Sequence, residues 1–404
     1  MERSAGWMER LPRLVAAILV ALMVAWGAAP LSAQVRGVTP TEVILGTSAP
    51  LSGPAAAWGI TAIAAKTYLD LINEAGGIHG RTIRLEIRDD AYLPPRAVAN
   101  VRELAERVGV FAIVGIIGSA NAFAVRDYAY QQELFWMTPA IDSHIWIGYP
   151  GNRYVYTVYP DYYEEARIFT RYAVETLGAQ RLAVFYQNDQ YGLAGLEGVQ
   201  DEIARLGDRA RLVAEVPYEV SDTDLAAHAQ RLQSSGADAV IIYATPNHGA
   251  MIAQAMARIG YHPHRLATFT LGDATIMTAL AGEAWEGVIS AGYFPLPDED
   301  PVVAAALERV AQREPSLRAM AYNALAGISF VEPFVEALRR AGPDLTRESF
   351  VEAIESLQDW DGEVIRKVTF GPDRHQGINR IYLTQIQNGR AVVISDWITY
   401  PVGF

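Results

Sequence analysis

Between Phe111 and Ser143 the chain twice runs apolar for the length of a strand and twice stops in small or polar residues. Phe111 to Ile117 is continuously apolar rather than alternating, the pattern of a parallel strand buried on both faces. It stops at Gly118, and Ser119, Ala120 and Asn121 follow as residues that lead into a helix. Ser119 would then sit where free backbone N–H groups and the positive end of a helix dipole meet, which outlines an anion pocket. A second apolar run, Leu134 to Met137, ends in Thr138, Pro139, Ala140, Ile141, Asp142 and Ser143. If the two strands are neighbours, two polar strand ends lie together, and open α/β sheets bind ligands outside the carboxyl ends of their strands. Ordinary strand-to-helix turns would read the same way.

The same alternation extends to both sides. Glu42 to Gly46 predicts a first strand, and Thr47 to Gly59 (TSAPLSGPAAAWG) a small-residue loop feeding a helix with Ile60, Ile63, Thr67, Tyr68, Leu71 and Ile72 on one face. Gly76 and Gly77 end that helix. Ile83, Leu85 and Ile87 alternate as strand two, Asp89 and Asp90 turn the chain, and Pro94 and Pro95 stand where a helix starts. This βαβα series predicts a parallel, doubly wound sheet.

The Gly-, Pro- and Tyr-rich interval from Gly148 to Asp161 marks a crossing into a second domain. Strands are expected there at Leu182–Tyr186, Leu212–Val216, Ala239–Tyr243, Leu266–Thr270 and Val288–Tyr293, with a second crossing at Phe294 to Asp300. Helical patterns follow over Pro301–Arg313, Ala319–Ala341 and Arg347–Leu357. Asn388-Gly389 between Ile381–Gln387 and Ala391–Trp397 is the strongest short hairpin signal in the chain.

With 404 residues, half of them hydrophobic, the chain can bury two sizeable cores. Its formal net charge of −13 disfavours nucleic acid and anionic membrane surfaces as partners. Arg3, Arg10 and Arg13 precede an apolar run from Leu14 to Ala29 and then Pro30, Leu31, Ser32 and Ala33, the order of a secretory leader cleaved after Ala33. Loss of three Arg and two Glu with residues 1–33 changes the net charge from −13 to −14. The chain has no cysteine, so neither a disulfide nor a lipid-modified cysteine anchor is available to it.

Signatures of catalysis are absent from the sequence: there is no G-x-G-x-x-G, Walker A loop, H-E-x-x-H or G-x-S-x-G. His262 and His264 flank Pro263 and read as a solvated helix-to-strand turn more readily than as a metal pair, and Asp89–Asp90 as a strand-end turn more readily than as an acid and base. No cofactor or metal is expected. Trp58, Tyr92, Trp146, Tyr191 and Tyr293 fall at strand ends or loops, where aromatics either wall a ligand site or pack the loops themselves.

Taken in order and spacing, VILGTSAPLSGPAAAWG, INEAGGIHGRTIRLEIRDD, PPRAVANVREL, IVGIIGS, NDQYG, GDA, GEAWEG and HQGIN with YLTQIQNG resemble the periplasmic solute-binding proteins for branched-chain amino acids and related compounds. The resemblance covers essentially the whole mature chain. It implies an α/β, type I periplasmic-binding fold: two doubly wound parallel-sheet lobes joined by three crossover strands, with solute enclosed between them. On that fold residues 34–158 with 294–376 would form the first lobe, and 159–293 with 377–404 the second.

The resemblance also implies a set of ligand contacts. Ser119 matches the serine that holds a ligand carboxylate, Ala140 a backbone contact and Trp58 an aromatic wall from the first lobe. Tyr191 and Thr245 match second-lobe contacts, Thr245 where amino-acid binders often carry tyrosine, and Asp273 an acid that takes the ligand ammonium. Asp142 stands where such binders usually carry Thr or Ser. It either repels a ligand carboxylate, leaving that contact to Ser143, or caps a helix and points away. A cysteine pair of some relatives falls at Tyr92 and Gly118.

The implied function is the extracytoplasmic, periplasmic solute-binding component of an ABC transporter, without enzymatic activity. Its partners would be a small-molecule solute, foremost an amino acid, and an inner-membrane ABC permease, with the binding protein a monomer. An amide, urea or aromatic-acid ligand is the alternative suggested by Asp142 and Thr245. A ligand sensor of the same fold and an exported enzyme are the other classes.

Overall fold

A computed structural model describes residues 35–142, 146, 149 and 152–403; the leader expected at 1–33 and Ser143 lie outside the described residues. The first sheet contains β1 (Glu42–Ala49), β2 (Thr82–Asp89), β3 (Ala112–Val114), β4 (Phe135–Met137) and β5 (Val155–Tyr156), in the order β2-β1-β3-β4-β5. Every pairing in it is parallel. Its connections are α1 (Ile60–Glu74), α2 (Pro94–Glu103), which starts at the proline pair, and α3 (Ser119–Gln131). All residues of β3 and β4 are buried, as continuous apolar runs require of a strand covered on both faces.

Two strands are shorter than their apolar runs. β3 stops at Val114 because Ile116 takes a left-handed backbone, φ +73°, so Ile117 rejoins the sheet only through an isolated parallel bridge to Ala140. The run expected at Leu266–Thr270 begins earlier, at His264, and leaves the sheet after Ala267, because Phe269–Leu271 coils into a 3-10 turn.

The second sheet holds β6 (Arg181–Gln187), β7 (Arg211–Tyr218), β8 (Ala239–Tyr243), β9 (His264–Ala267), β10 (Ile289–Gly292), β11 (Arg380–Gln387) and β12 (Arg390–Val393), in the order β12-β11-β10-β9-β8-β6-β7, with β13 (Ile398–Thr399) beside β11. It is parallel from β7 to β10 and antiparallel at β11 and β12. Asn388 and Gly389 take φ of +53° and +73°, the left-handed pair that a two-residue hairpin needs. Its helices are α4 (Tyr162–Glu175), α5 (Gln190–Leu206), α6 (Ala226–Ser235), α7 (Pro246–Arg258) and α8 (Ala274–Ala281).

After β10 the chain returns to the first sheet as α9 (Pro301–Arg313), α10 (Ser316–Ala319), α11 (Ala321–Ala341) and α12 (Arg347–Glu355). The expected helix over Ala319–Ala341 is split at Met320, whose ψ of +50° interrupts the helical turn. α11 lies against α1 and α12, and Phe334 on it meets Phe111 and Phe350 at ring distances of 6.1 and 4.8 Å. Buried Glu332 on α11 accepts the backbone N–H groups of Glu363 (2.7 Å), Val364 (3.0 Å) and Ile365 (2.8 Å), fastening the segment that leads back to β11.

Among the described residues the chain thus passes between the sheets three times, at 157–161, 293–300 and 375–379. The first and third passages pair: Thr157 N–H donates to His375 O at 2.9 Å, and Gly377 N–H to Thr157 O at 2.7 Å. The Tyr156 and His375 rings stack beside them at 4.5 Å.

Candidate ligand-binding site

The carboxyl ends of β1, β3 and β4 face those of the second sheet across a cavity lined by residues of both lobes. Gly118 turns the chain out of the first sheet with φ +100°. A side chain there would place its Cβ 2.5 Å from the Tyr92 ring, so glycine is needed on both counts. α3 begins at the next residue, and Ser119, 1% exposed, turns its hydroxyl into a place where no protein group meets it. Ala140 is drawn alongside by its bridge to Ile117.

Trp58 reaches over from the 3-10 turn Ala56–Gly59, and its indole N–H donates to Thr270 O of the opposite lobe at 3.0 Å. Tyr191 stands in the first turn of α5, fixed by Asp189, which caps that helix by accepting the Tyr191 N–H at 3.0 Å. The Tyr191 hydroxyl lies 2.9 Å from Thr270 Oγ1. Further bonds close the cleft: Gln187 Nε2 donates to Tyr92 Oη at 3.3 Å, and the Tyr322 hydroxyl to Ala291 O at 3.3 Å.

The cavity therefore brings together Trp58, Ser119, Ala140 and Tyr191 of the expected contacts, and leaves Asp142, Thr245 and Asp273 outside its wall. Thr245 is spent on local structure: it caps α7, and its hydroxyl is 2.7 Å from His248 Nδ1. Asp273 caps α8 by accepting the Ile276 N–H at 3.0 Å and reaches the Asn323 N–H at 3.4 Å. Burial raises its carboxyl above the ordinary range, against those backbone donors. Asp142 is buried just beyond Ala140, and its charge bears on Tyr243, whose phenol is raised mainly by burial. Trp146 packs on Trp136 in a separate apolar cluster, with ring centres 5.6 Å apart.

Among the described residues, nine of the seventeen that line the cavity are aromatic and none is charged. Tyr92 and Tyr293 are among them; Tyr159, Tyr162, Phe269 and Tyr322 were not singled out from the sequence. The signal available for the first two was the tyrosine density of Tyr154 to Tyr163, which the crossover reading absorbed. Behind the wall, fully buried Glu165 accepts the Phe269 N–H at 2.7 Å and the Tyr243 hydroxyl at 3.0 Å. Burial pushes its carboxyl up to about 8, so it is mostly protonated at neutral pH. Such a cavity can hold an anionic group at Ser119 and the α3 N-terminus, and an apolar body among the rings.

Two doubly wound parallel lobes closed over a site of this kind define a two-lobed solute-binding protein. A family model described as periplasmic binding protein matches residues 42–391, and the chain belongs to that family. It is 23% identical over 305 residues to Leu/Ile/Val-binding protein homolog 3 of Brucella melitensis, covering 74% of this chain and 80% of that protein. Among solved structures, a fatty acid ABC transporter substrate-binding protein from Thermomonospora curvata superposes with a TM-score of 0.81 at 23% identity, over 92% of this chain and 97% of that one. A branched chain amino acid ABC transporter from Thermus thermophilus with bound valine gives 0.81 at 21% identity, over 90% and 98%. At these identities the structures speak for the fold.

Proposed function

We propose that the protein is the extracytoplasmic solute-binding component of an ABC transporter, which closes two lobes over a small carboxylate-bearing solute and presents it to an inner-membrane permease. The lobes are 34–158 with 294–376 and 159–293 with 377–404, and the protein acts as a periplasmic monomer after loss of residues 1–33. It binds without chemical change to the solute. The observation that carries the reading is the Ser119 hydroxyl, buried and without a protein partner at the head of α3, on the wall of the inter-lobe cavity. Backbone N–H groups at a helix start favour an anion, and a hydroxyl beside them adds a donor.

Ser119, Ala140, Trp58 and Tyr191 are the proposed ligand contacts, joined by Tyr92 and Thr270. The amino acids in the names of the Leu/Ile/Val-binding relatives and the fatty acid in the name of the Thermomonospora protein share the carboxylate this anchor requires. Native mass spectrometry of the mature protein, followed by identification of the released solute, tests the reading. A solute with a carboxylate supports it; a solute lacking one, or turnover of the solute by the protein, rejects it.

A further inference from the structure

Resting on the reading of Ser119 as a carboxylate anchor, we infer that the solute is an arylcarboxylate: one carboxylate on an aromatic body, with no ammonium group. An α-amino acid brings a cation into the cleft, and a cation taken out of water needs a carboxylate or an equivalent set of acceptors. Among the described residues the wall supplies no carboxylate. Asp142 lies beyond Ala140 and outside the wall, and four other acids outside it are each held by their own donors. Asp273 is bound to the Ile276 and Asn323 N–H groups, and Glu165 to the Phe269 N–H and Tyr243 hydroxyl. Asp189 accepts the Tyr191 N–H and Gln187 Nε2, the latter at 2.6 Å, while Asp90 accepts the Ser48 hydroxyl at 2.7 Å and the Tyr92 N–H at 2.8 Å. All four carboxyls are raised by burial, which makes each a weaker counter-ion.

The polar tips of the aromatic wall are similarly occupied. The Trp58 N–H and the Tyr191, Tyr159 and Tyr322 hydroxyls all bond to protein, so these rings meet the solute chiefly with carbon. Several meet edge to face, Trp58 with Tyr92 at 5.8 Å and 61° and Tyr159 with Phe269 at 4.9 Å and 72°, while Tyr162 stacks on Phe269 at 5.4 Å and 20°. That arrangement accommodates another ring with the same geometry. Among the described wall residues, Ser119 Oγ is a buried hydroxyl without a protein partner.

The test compares solutes that differ by one group. Titration calorimetry of the mature, ligand-stripped protein would use 3-phenylpropanoate against phenylalanine, which adds only the ammonium, and against 3-phenylpropanamide, which removes only the charge. Benzoate, phenylacetate, octanoate, leucine and glycine betaine complete the panel. The expected result is that an arylcarboxylate binds at least 100-fold more tightly than phenylalanine, leucine or betaine and more tightly than octanoate, and that Ser119→Ala weakens it at least tenfold with an unchanged melting temperature. Tighter binding of leucine, phenylalanine, betaine or octanoate, or no binding of any arylcarboxylate, overturns the inference while leaving the carboxylate anchor standing if Ser119→Ala weakens whichever acid binds. If the amide binds as well as the acid and Ser119→Ala changes nothing, the anchor itself fails.

Discussion

The indole N–H of Trp58 is bonded to the carbonyl of Thr270, 212 residues away and on the other side of the cleft, at 3.0 Å. This bond joins the loop after β1 to the 3-10 turn after β9, so it exists only while the lobes are together. Trp58→Phe keeps an aromatic ring and removes the donor, leaving a buried carbonyl without that partner. Solute affinity is expected to fall about tenfold, the worth of one buried hydrogen bond of roughly 1–1.5 kcal/mol. Calorimetry with the co-purified solute would check it, and an unchanged affinity would show that closure does not depend on this bond.

Gly118 carries two constraints at once, a left-handed φ and the Tyr92 ring against its α-carbon. Gly118→Ala should cost at least about 2 kcal/mol of stability, visible as a lower melting temperature. Replacing the ring as well, in the double variant Gly118→Ala with Tyr92→Leu, relieves the clash but not the backbone strain, so the two changes together should be less damaging than their sum. Strict additivity in thermal denaturation would mean that the ring is not what the added methyl group meets.

Asp273 belongs to α8 rather than to the cavity wall. Asp273→Ala should cost about 1 kcal/mol of stability through the lost cap, with Asp273→Asn restoring most of it. Affinity for the solute should move less than about fivefold in either variant. A hundredfold loss in Asp273→Asn with stability preserved would return the carboxylate to the ligand.

Glu165 makes stability depend on pH in a defined window. Below about pH 4.5 its side chain is protonated in folded and unfolded chains alike, so its contribution is fully present. As pH rises toward about 8 the unfolded chain releases the proton while the folded chain retains it, and that contribution is lost. Glu165→Gln stays neutral. Relative to wild type it should gain stability steadily from pH 4.5 to 8, by up to about 5 kcal/mol, and hold level above. Urea unfolding at a series of pH values measures this difference; a constant difference across the window would mean that Glu165 ionises normally in the folded protein.

The succession of strands and helices was legible because its signals are local and chemical. The Pro94–Pro95 pair marks a helix start, Asn388-Gly389 a hairpin, and unbroken apolar runs a strand covered on both faces. Ile116 was not legible, since a β-branched residue prefers the extended backbone and only the surrounding fold holds it at φ +73°. The cavity wall was half legible for a related reason. Ser119 follows from a strand ending at a glycine, but Asp273 and Thr245 are residue types that serve equally as ligand contacts and as helix caps. Only the direction of the following helix decides between the two. The rings of Tyr159 and Tyr162, of Phe269 and of Tyr322 come from three separate segments, and no spacing in the sequence connects those segments.

The pairing of Thr157 with His375 and Gly377 bears on how such a cleft can open. Two of the three connections between the lobes are bonded into a short ribbon stiffened by the stacked Tyr156 and His375 rings, and a ribbon bends across its flat face far more easily than it twists or shears. Two passages tied together in this way favour a door hinge over a ball joint, a swing about one axis that returns Trp58 to the same carbonyl at each closing.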